Sequence, residues 1–226
     1  MAIKNILLKI PVVRELIRML EKNDFQKKWK SLNAHNYTSV GDKTFPIENV
    51  NVGHHSYGVL NIYSLYMQST EKLNIGNYVS IAPNVQFLLG ADHQTATITT
   101  YPLYSRFIEY NKIDALSKGE ITIEDEVWLG TNTIIISGVR IGKGAIIASG
   151  SIVTKDVPPY SIFGGNPAKL IKMRFPENII EEFLNFNLIE IPTEKIKENI
   201  DLFYRKINTL EDIKKIKYEI NKLNQL

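Results

Sequence analysis

The sequence predicts a mainly β fold in which short strands wind as a coil of six-residue repeats, with one extended loop and α-helices at both ends. Three observations predict it. Aliphatic residues recur at every sixth position in the second half of the chain, this pattern stops over residues 91–118, and both ends carry apolar residues at helical spacing. With 226 residues, 44% of them hydrophobic, the chain is long enough to bury a core.

The six-residue repeat is clearest after residue 120. Ile123 is followed at every sixth position by another aliphatic residue: Leu129, Ile135, Ile141, Ile147 and Val153. The position four residues later is always small or β-branched: Val127, Thr133, Val139, Ala145, Ser151 and Val157. Neither a helix nor an alternating strand requires a period of six, whereas a coil built from three short strands and three turns does. The alternative, chance alternation in a β-sandwich, does not explain six hits in register.

Each position of the repeat has an expected place in the coil. We expect the aliphatic residue to point inward and stack on the next coil, and the small residue to lie at a tight corner. Glycine follows the aliphatic position at Gly130 and Gly142, where we expect it to accept turn angles. A weaker tract in the same register, with Ile75 and Ile81, extends the coil upstream. The coil is therefore predicted over residues 40–168.

Residues 91–118 interrupt this coil. They keep neither the aliphatic nor the small position of the repeat, so we interpret them as an excursion loop. A loop of this length in a compact domain is usually functional.

The two ends are predicted to be helical caps, because a repeat coil needs its open ends covered. Residues 1–39 form the N-terminal cap, in which apolar positions from Ile6 to Leu20 recur every three or four residues. Residues 169–226 form the C-terminal helical segment, where Pro176 and Pro192 mark helix starts.

Composition excludes several classes of function. The absence of Cys excludes a disulfide scaffold, a thiolate zinc site and a cysteine nucleophile. No apolar run approaches the ~20 residues of a membrane span, and no signal peptide is recognisable. The net charge of +3 does not indicate a nucleic-acid partner. Residues 1–30 carry eight basic and three acidic residues, so this helix either contacts anionic lipid or presents a solvated face while packing on the coil.

Five motifs follow one another in the coil: Val127-Trp128-Leu129-Gly130, Ser137-Gly138-Val139, Gly144-Ala145-Ile146-Ile147, Lys155-Asp156-Val157-Pro158-Pro159-Tyr160 and Gly165-Asn166-Pro167-Ala168-Lys169. With Asp92-His93 upstream, the chain resembles the hexapeptide-repeat acetyltransferases of the xenobiotic branch, which contains streptogramin and type B chloramphenicol acetyltransferases. Many polysaccharide O-acetyltransferases share this branch. The resemblance implies a left-handed parallel β-helix, a homotrimer, and acetyl-CoA bound in grooves between subunits.

The resemblance also implies roles for individual residues. His93 matches the general base, and a neutral imidazole with a pKa near ~6.5 suits that role. The residues expected to bind acetyl-CoA are Trp128, Gly130, Ala148, Ser149, Lys155, Lys169 and Lys172. The basic residues among them could instead form a solvated face, and Trp128 could be buried under a cap or at a subunit interface.

His54, Tyr57 and Asp92 are expected to bind the acceptor, although Asp92 also suits a turn residue or a residue that orients His93. A metal site at His54 and His55 is the alternative. Adjacent residues of a strand point to opposite faces, so no metal is expected.

Two departures from the family pattern bear on the acceptor. Ala91-Asp92-His93 stands where many relatives have Gly-Asn-His, and the loop lacks the aromatic and acidic signature of antibiotic-acetylating members. We therefore expect an acetyl-CoA-dependent O-acetyltransferase that acts on a sugar hydroxyl in surface-polysaccharide biosynthesis. We expect it in the cytoplasm, with contact to the inner membrane face left open. The alternatives are an antibiotic O-acetyltransferase and a non-catalytic trimeric scaffold.

Overall fold

The structure is a computed structural model that describes residues 10–64, 70–90, 92–109 and 114–223. Predicted features at Ile6 and Ala91 therefore lie outside the described residues. The strands are β1 (Tyr37–Val40), β2 (Val50–Val52), β3 (Tyr57–Ser64), β4 (Leu73–Ile75), β5 (Ser80–Ile81), β6 (Gln86–Gly90), β7 (Ile121–Ile123), β8 (Trp128–Leu129), β9 (Ile134–Ile136), β10 (Arg140–Ile141), β11 (Ile146–Ile147), β12 (Ile152–Val153), β13 (Ser161–Gly164) and β14 (Lys169–Met173).

These strands form a three-sided coil of parallel sheets. The first side contains β2, β4, β7 and β10; the second contains β1, the start of β3, β5, β8, β11 and β13; the third contains the end of β3, β6, β9 and β12. The chain visits the three sides in turn, and it therefore has three corners, which we call corner 1–2, corner 2–3 and corner 3–1 after the sides they join. The mainly β architecture with parallel strands and flanking helices is confirmed, and its left-handed sense stays a prediction.

The aliphatic repeat forms the core of the coil, as predicted. Ile123 pairs with Ile141, and Leu129 with Ile147, each three repeats later. Both pairs are at most 1% exposed, and the small positions of the repeat are buried at the corners. Burying such a side chain contributes about 1.5–3 kcal/mol, so the stacked aliphatic columns are the main source of stability.

The expectation for Gly130 and Gly142 was wrong in its reason. Neither residue has a positive φ; the left-handed angles fall one residue before the small position, as at Glu126 (φ 62°) and Asn132 (φ 60°). Gly130 is required by close approach instead, because a Cβ there would lie 2.6 Å from the backbone nitrogen of Ser149 in the next coil. Glycine at this position lets two coils touch through their backbones.

The N-terminal end is covered by helix α1 (Pro11–Leu32). Phe25 and Trp29 pack edge-on against Phe45, with ring centroids 5.2 and 5.5 Å apart. The indole N–H of buried Trp29 donates to the Thr38 hydroxyl at 3.1 Å. The second half of α1 is thus fixed to the first coil.

The C-terminal segment contains α2 (Glu177–Leu184), α3 (Thr193–Glu198), α4 (Ile200–Phe203) and α5 (Leu210–Leu223). Ile191, Leu202, Ile216 and Ile220 form a second, smaller core. The expectation that residues 169–226 are helical needs a correction, since the segment begins with β14. This strand pairs antiparallel with β13, whose outer edge would otherwise be unpaired. No helix in the described ranges is long and apolar enough to cross a membrane.

Candidate active site

The excursion loop leaves the coil through a β-bulge at the end of β6. Tyr63 pairs with Leu88, but the next residue, Ser64, pairs with Gly90. Leu89 is the extra residue, and its side chain is fully buried. A bulge bends its strand and redirects the residues that follow. It therefore sets the direction in which the chain departs toward His93.

Glu71 supports this exit from inside the coil. Glu71 is only 1% exposed, and the Ser64 hydroxyl donates a hydrogen bond to the Glu71 carboxylate. A Cβ at Gly90 would collide with this same carboxylate, so Gly90 must be glycine for Glu71 to lie there. The sequence analysis missed Glu71 and Gly90. An acidic residue close before a buried strand is a weak signal, and it gains meaning only through this contact.

Backbone pairing closes the base of the loop. The Asp92 N–H donates to the Leu116 carbonyl at 3.1 Å, and the Leu116 N–H donates back at 2.7 Å. The Ser117 hydroxyl donates to the Leu89 carbonyl at 2.6 Å. The described parts of residues 91–118 are thus tied to the coil at both ends.

His93 lies one residue beyond this base. Its Nδ1 is 2.7 Å from the Thr100 carbonyl oxygen. A carbonyl only accepts, so Nδ1 carries the proton and Nε2 keeps an unshared electron pair. His93 is exposed and lines a cleft of about 200 Å³ within the loop. The arrangement presents Nε2 as a base.

The structure does not show Asp92 orienting this imidazole. In the described part of the chain the Asp92 carboxylate lies 3.8 Å from Lys118 Nζ, and no hydrogen bond joins it to His93. The partner of His93 is the Thr100 backbone instead. No sequence signal could have indicated it, since every residue type has a carbonyl.

The outer part of the loop is strongly apolar. Six large side chains within it are each at least 45% exposed: Ile98, Tyr101, Leu103, Tyr104, Phe107 and Ile108. So many exposed apolar side chains in one loop usually mark a surface that another molecule covers.

His54 and Tyr57 lie on another part of the coil. His54 is at corner 1–2, whereas the loop with His93 leaves at corner 3–1. Tyr57 is on the outer face of the second side, in one ladder with Ser80 and Trp128. Tyr57 and Trp128 are 51% and 52% exposed. Within one chain the structure therefore does not bring His54 or Tyr57 to His93.

Corner 1–2 is covered by the C-terminal segment of the same chain. The ring of His55 stacks on Tyr78 at 4.8 Å, and His55 Nε2 lies 3.5 Å from the Thr193 hydroxyl. Further along this corner, Tyr160 stacks on Phe183 at 5.0 Å. Among the described residues no group of His, Cys, Asp or Glu could hold a metal ion. His55 acts here as a packing residue.

Buried charge accompanies this packing. Glu126, at the same corner, lies 3.7 Å from Lys143 Nζ. Burial raises the pKa of Glu126, and the attraction of Lys143 opposes that rise. Burial also raises the pKa of Tyr160, with repulsion from Glu126 as a further cause. This polar cluster joins the later coils to the C-terminal helices.

Three residues expected to bind acetyl-CoA lie at corner 2–3. Gly130 is buried, Ala148 is half-buried and Ser149 is exposed. The Ala148 N–H already donates to the Phe163 carbonyl at 2.8 Å. The Ala148 carbonyl in turn accepts from the Ser151 hydroxyl at 2.5 Å, so both backbone groups of Ala148 already have a partner within the chain.

The basic residues are not gathered at one place. Lys155 is exposed at corner 3–1, whereas Lys169 and Lys172 are exposed on β14, beyond the second side. Arg174, the basic residue just after β14, makes a hydrogen bond within the chain: its Nη1 donates to the Gly144 carbonyl at 2.5 Å. A single chain thus offers separate cations rather than one cluster.

Comparison with known proteins gives a consistent family. The family described as "Bacterial transferase hexapeptide (six repeats)" matches residues 120–155. A "Probable macrolide acetyltransferase" from Lysinibacillus sphaericus is 40% identical over 148 residues, which are 63% of this chain and 82% of that protein. A "Chloramphenicol acetyltransferase" from Agrobacterium fabrum is 33% identical over 66% of this chain and 74% of its own length.

A solved structure resembles the fold. The maltose O-acetyltransferase from Clostridium difficile 630 superimposes with a TM-score of 0.50 at 27% identity. The match covers 74% of this chain and 88% of that one. The relatives' names thus cover drug and sugar acceptors on one architecture.

Proposed function

The chain belongs to the hexapeptide-repeat acetyltransferases, and from that premise we propose that it transfers the acetyl group of acetyl-CoA to a sugar hydroxyl, with His93 as the general base. The observation that carries the proposal is the pairing of His93 Nδ1 with the Thr100 carbonyl. It fixes the tautomer whose free Nε2 can accept a proton.

The proposed reaction is direct. The acceptor hydroxyl loses its proton to His93 Nε2 as its oxygen attacks the thioester carbonyl carbon. The tetrahedral intermediate then breaks its carbon–sulfur bond, and the departing thiolate takes the proton back from the imidazolium. The Thr100 carbonyl, which accepts from Nδ1–H, stabilises the imidazolium between these two steps. Because the chain has no Cys, a cysteine acyl-enzyme is excluded.

We propose that the working unit is a homotrimer of left-handed coils, with each site shared by two chains. Support comes from the exposed apolar residues of the loop, such as Phe107 and Ile108, which need a covering surface. It also comes from the separation of His93 at corner 3–1 from Ser149 at corner 2–3. In a trimer, the cofactor groove of one subunit would lie next to His93 of its neighbour. Lys172 of one subunit would likewise lie next to Lys155 of its neighbour.

For the acceptor we propose a sugar of a surface polysaccharide, bound in part by Tyr57 and Trp128 of the neighbouring chain that completes the site. Trp128, expected from the sequence to bind acetyl-CoA, is thus proposed for the acceptor instead. Two exposed aromatic side chains in one ladder offer an apolar surface and a hydroxyl, which suits a sugar ring. The name of the maltose O-acetyltransferase supports this choice. A drug hydroxyl is the second candidate, and the names of the macrolide and chloramphenicol relatives favour it.

The test is release of free thiol from acetyl-CoA with matched acceptors: a galactoside, maltose, chloramphenicol and a macrolide. The His93→Ala variant serves as the blank. We expect kcat/KM for a sugar to exceed that for either drug by at least about 10-fold. A preference for a drug would replace the sugar proposal with the second candidate. No thiol release with any acceptor, together with no binding of acetyl-CoA, would support a non-catalytic scaffold.

A further inference from the structure

The first three turns of α1 carry an apolar stripe that no other described part of the chain covers. Val12, Leu16, Met19 and Leu20 follow the spacing that places side chains on one face of a helix. They are 78%, 56%, 58% and 55% exposed. The sequence left open whether this helix packs on the coil along its length, and residues 11–20 do not bury a single side chain there.

The body of the protein lies on the other side of α1. Phe25 and Trp29 are the residues that pack on Phe45, and Lys22 pairs with Asp42 at 2.7 Å. At about 100° per residue, Phe25 and Trp29 lie roughly 120–170° around the helix from the middle of the apolar stripe, and Lys22 lies at its flank, roughly 105° away. The stripe therefore faces away from the coil that α1 covers.

The outward face changes from apolar to cationic along the helix. Lys27 and Lys30 fall within the same arc as the stripe and are exposed. One surface thus offers aliphatic side chains near the start of the helix and lysines near its end, so apolar acyl chains and anionic headgroups are its complementary partners.

A second copy of the chain fits this face poorly. Parallel packing of two stripes would bring Lys27 and Lys30 against the same lysines of the other chain. Antiparallel packing would place these lysines over the partner's aliphatic side chains, where burying a charge is costly. An anionic bilayer satisfies both parts of the face, since acyl chains take the stripe and lipid phosphates take the lysines.

We propose that α1 docks the protein on an anionic lipid bilayer. The helix lies in the interface with Leu16 and Leu20 among the acyl chains and Lys27 and Lys30 at the phosphates. The coil then stands on the aqueous side of the helix. This docking is independent of the acetyl-transfer proposal, because α1 contributes no residue to the candidate active site.

Vesicle flotation of the full-length chain tests the proposal. We expect the protein to float with vesicles of phosphatidylcholine and phosphatidylglycerol mixed at about 7:3, and to stay in solution with phosphatidylcholine alone. Raising the salt to about 0.5 M should weaken the binding. Leu16→Ser/Leu20→Ser should lower the bound fraction about 10-fold, and Lys27→Gln/Lys30→Gln by a similar factor.

Matched substitutions on α5 serve as controls. Tyr218→Ser replaces a side chain that is 61% exposed, and Lys214→Gln/Lys215→Gln removes two exposed charges; neither should change flotation. The lysine variant keeps the test informative if the serine variant melts at a lower temperature. Failure of the wild type to float with the anionic vesicles overturns the proposal. So does a serine variant that floats normally but sediments as a smaller assembly, since the stripe would then bind a second copy.

Discussion

The later coils, built from residues 121–153, and the earlier coils, built from residues 50–90, differ in regularity. In the later coils Ile123 pairs with Ile141, three repeats on. In the earlier ones Val52 pairs with Ile75, five residues further than three repeats would give, and Ile75 pairs with Ile123 only after the excursion loop. The irregular part contains the bulge and Glu71, and the loop with His93 leaves from its end. Regular repeats supply a support for the loop, and the residue proposed as the base lies where the repeat is broken.

The largest effect is expected from removing the base in the irregular part. His93→Ala should lower kcat by about 10²–10⁴-fold, because the proposed mechanism takes the acceptor's proton on His93 Nε2. Steady-state kinetics measure it, with acetyl-CoA binding and thermal melting unchanged. His35→Ala, an exposed histidine on the first coil, is the matched control and should keep wild-type turnover. Near wild-type turnover of His93→Ala would contradict the mechanism.

A core substitution in the regular part should affect stability and leave chemistry intact. Ile135 is fully buried and pairs with Phe87 and Val153 in the neighbouring coils. Ile135→Ala should lower the free energy of unfolding by about 2–5 kcal/mol through lost burial and a cavity. Denaturant unfolding measures this.

The neighbouring residue provides the control. Ile134 faces the other way and is half-buried, so Ile134→Ala should cost less than half as much. The kcat of Ile135→Ala is measured at denaturant concentrations well below its unfolding midpoint, where the variant is folded. A fall in kcat there would contradict the division between a structural later part and a catalytic earlier part.

Adding one carbon at the bulge joins the two parts of the comparison. Gly90→Ala places a methyl group against the Glu71 carboxylate, which must move; because Glu71 is only 1% exposed, we expect this movement to displace the exit of the loop. We expect kcat to fall about 10- to 100-fold with little change in KM for acetyl-CoA, since His93 moves and the cofactor corner does not. In Gly164→Ala the nearest atom is the end of the Ile171 side chain at 2.8 Å, and because Ile171 is 61% exposed it can move into solvent, so this control should be mild. An equal loss of kcat in Gly90→Ala and Gly164→Ala would contradict the proposal that the bulge positions His93.

The smallest effect is expected from the cations at the far end of the coil. Lys172→Ala and Lys155→Ala should each raise KM for acetyl-CoA about 5- to 100-fold with kcat little changed, because a phosphate contact adds uniform binding. The effect should weaken as salt rises. Lys214→Ala on α5 is the control. If the acceptor KM rises and that for acetyl-CoA does not, these lysines belong to the acceptor site.

The sequence predicts the coil well because the side chains that point into the coil produce a visible pattern in the sequence. A side chain such as Leu129 must be aliphatic to stack inside, and the requirement returns every sixth residue. The reason for Gly130 was not predictable, since close approach of two backbones depends on the register between coils. The Thr100 carbonyl that holds His93 leaves no trace at all, because a backbone acceptor is common to all residues.

The grouping of residues by corner was also beyond sequence reasoning. Lys155 and Lys172 are close in the chain, yet a few residues carry the chain to another side of the coil. Likewise, the separation of His54 from His93 follows from which corner each one occupies. Such assignments need the pairing of every strand, and the spacing of motifs gives only their order.

The three-sided arrangement gives the coil a fixed rise for every three repeats. Neighbouring strands of one side lie about 4.8 Å apart, so inserting three repeats lengthens the coil by about 4.8 Å and returns each later residue to its own side. Inserting one repeat would instead rotate everything beyond it to the next side and carry Lys172 away from the ladder of Trp128 and Ile162. The length of the coil can therefore change by whole coils of three repeats. A binding groove that runs along the coil axis would therefore change its length in steps of one coil, about 4.8 Å each.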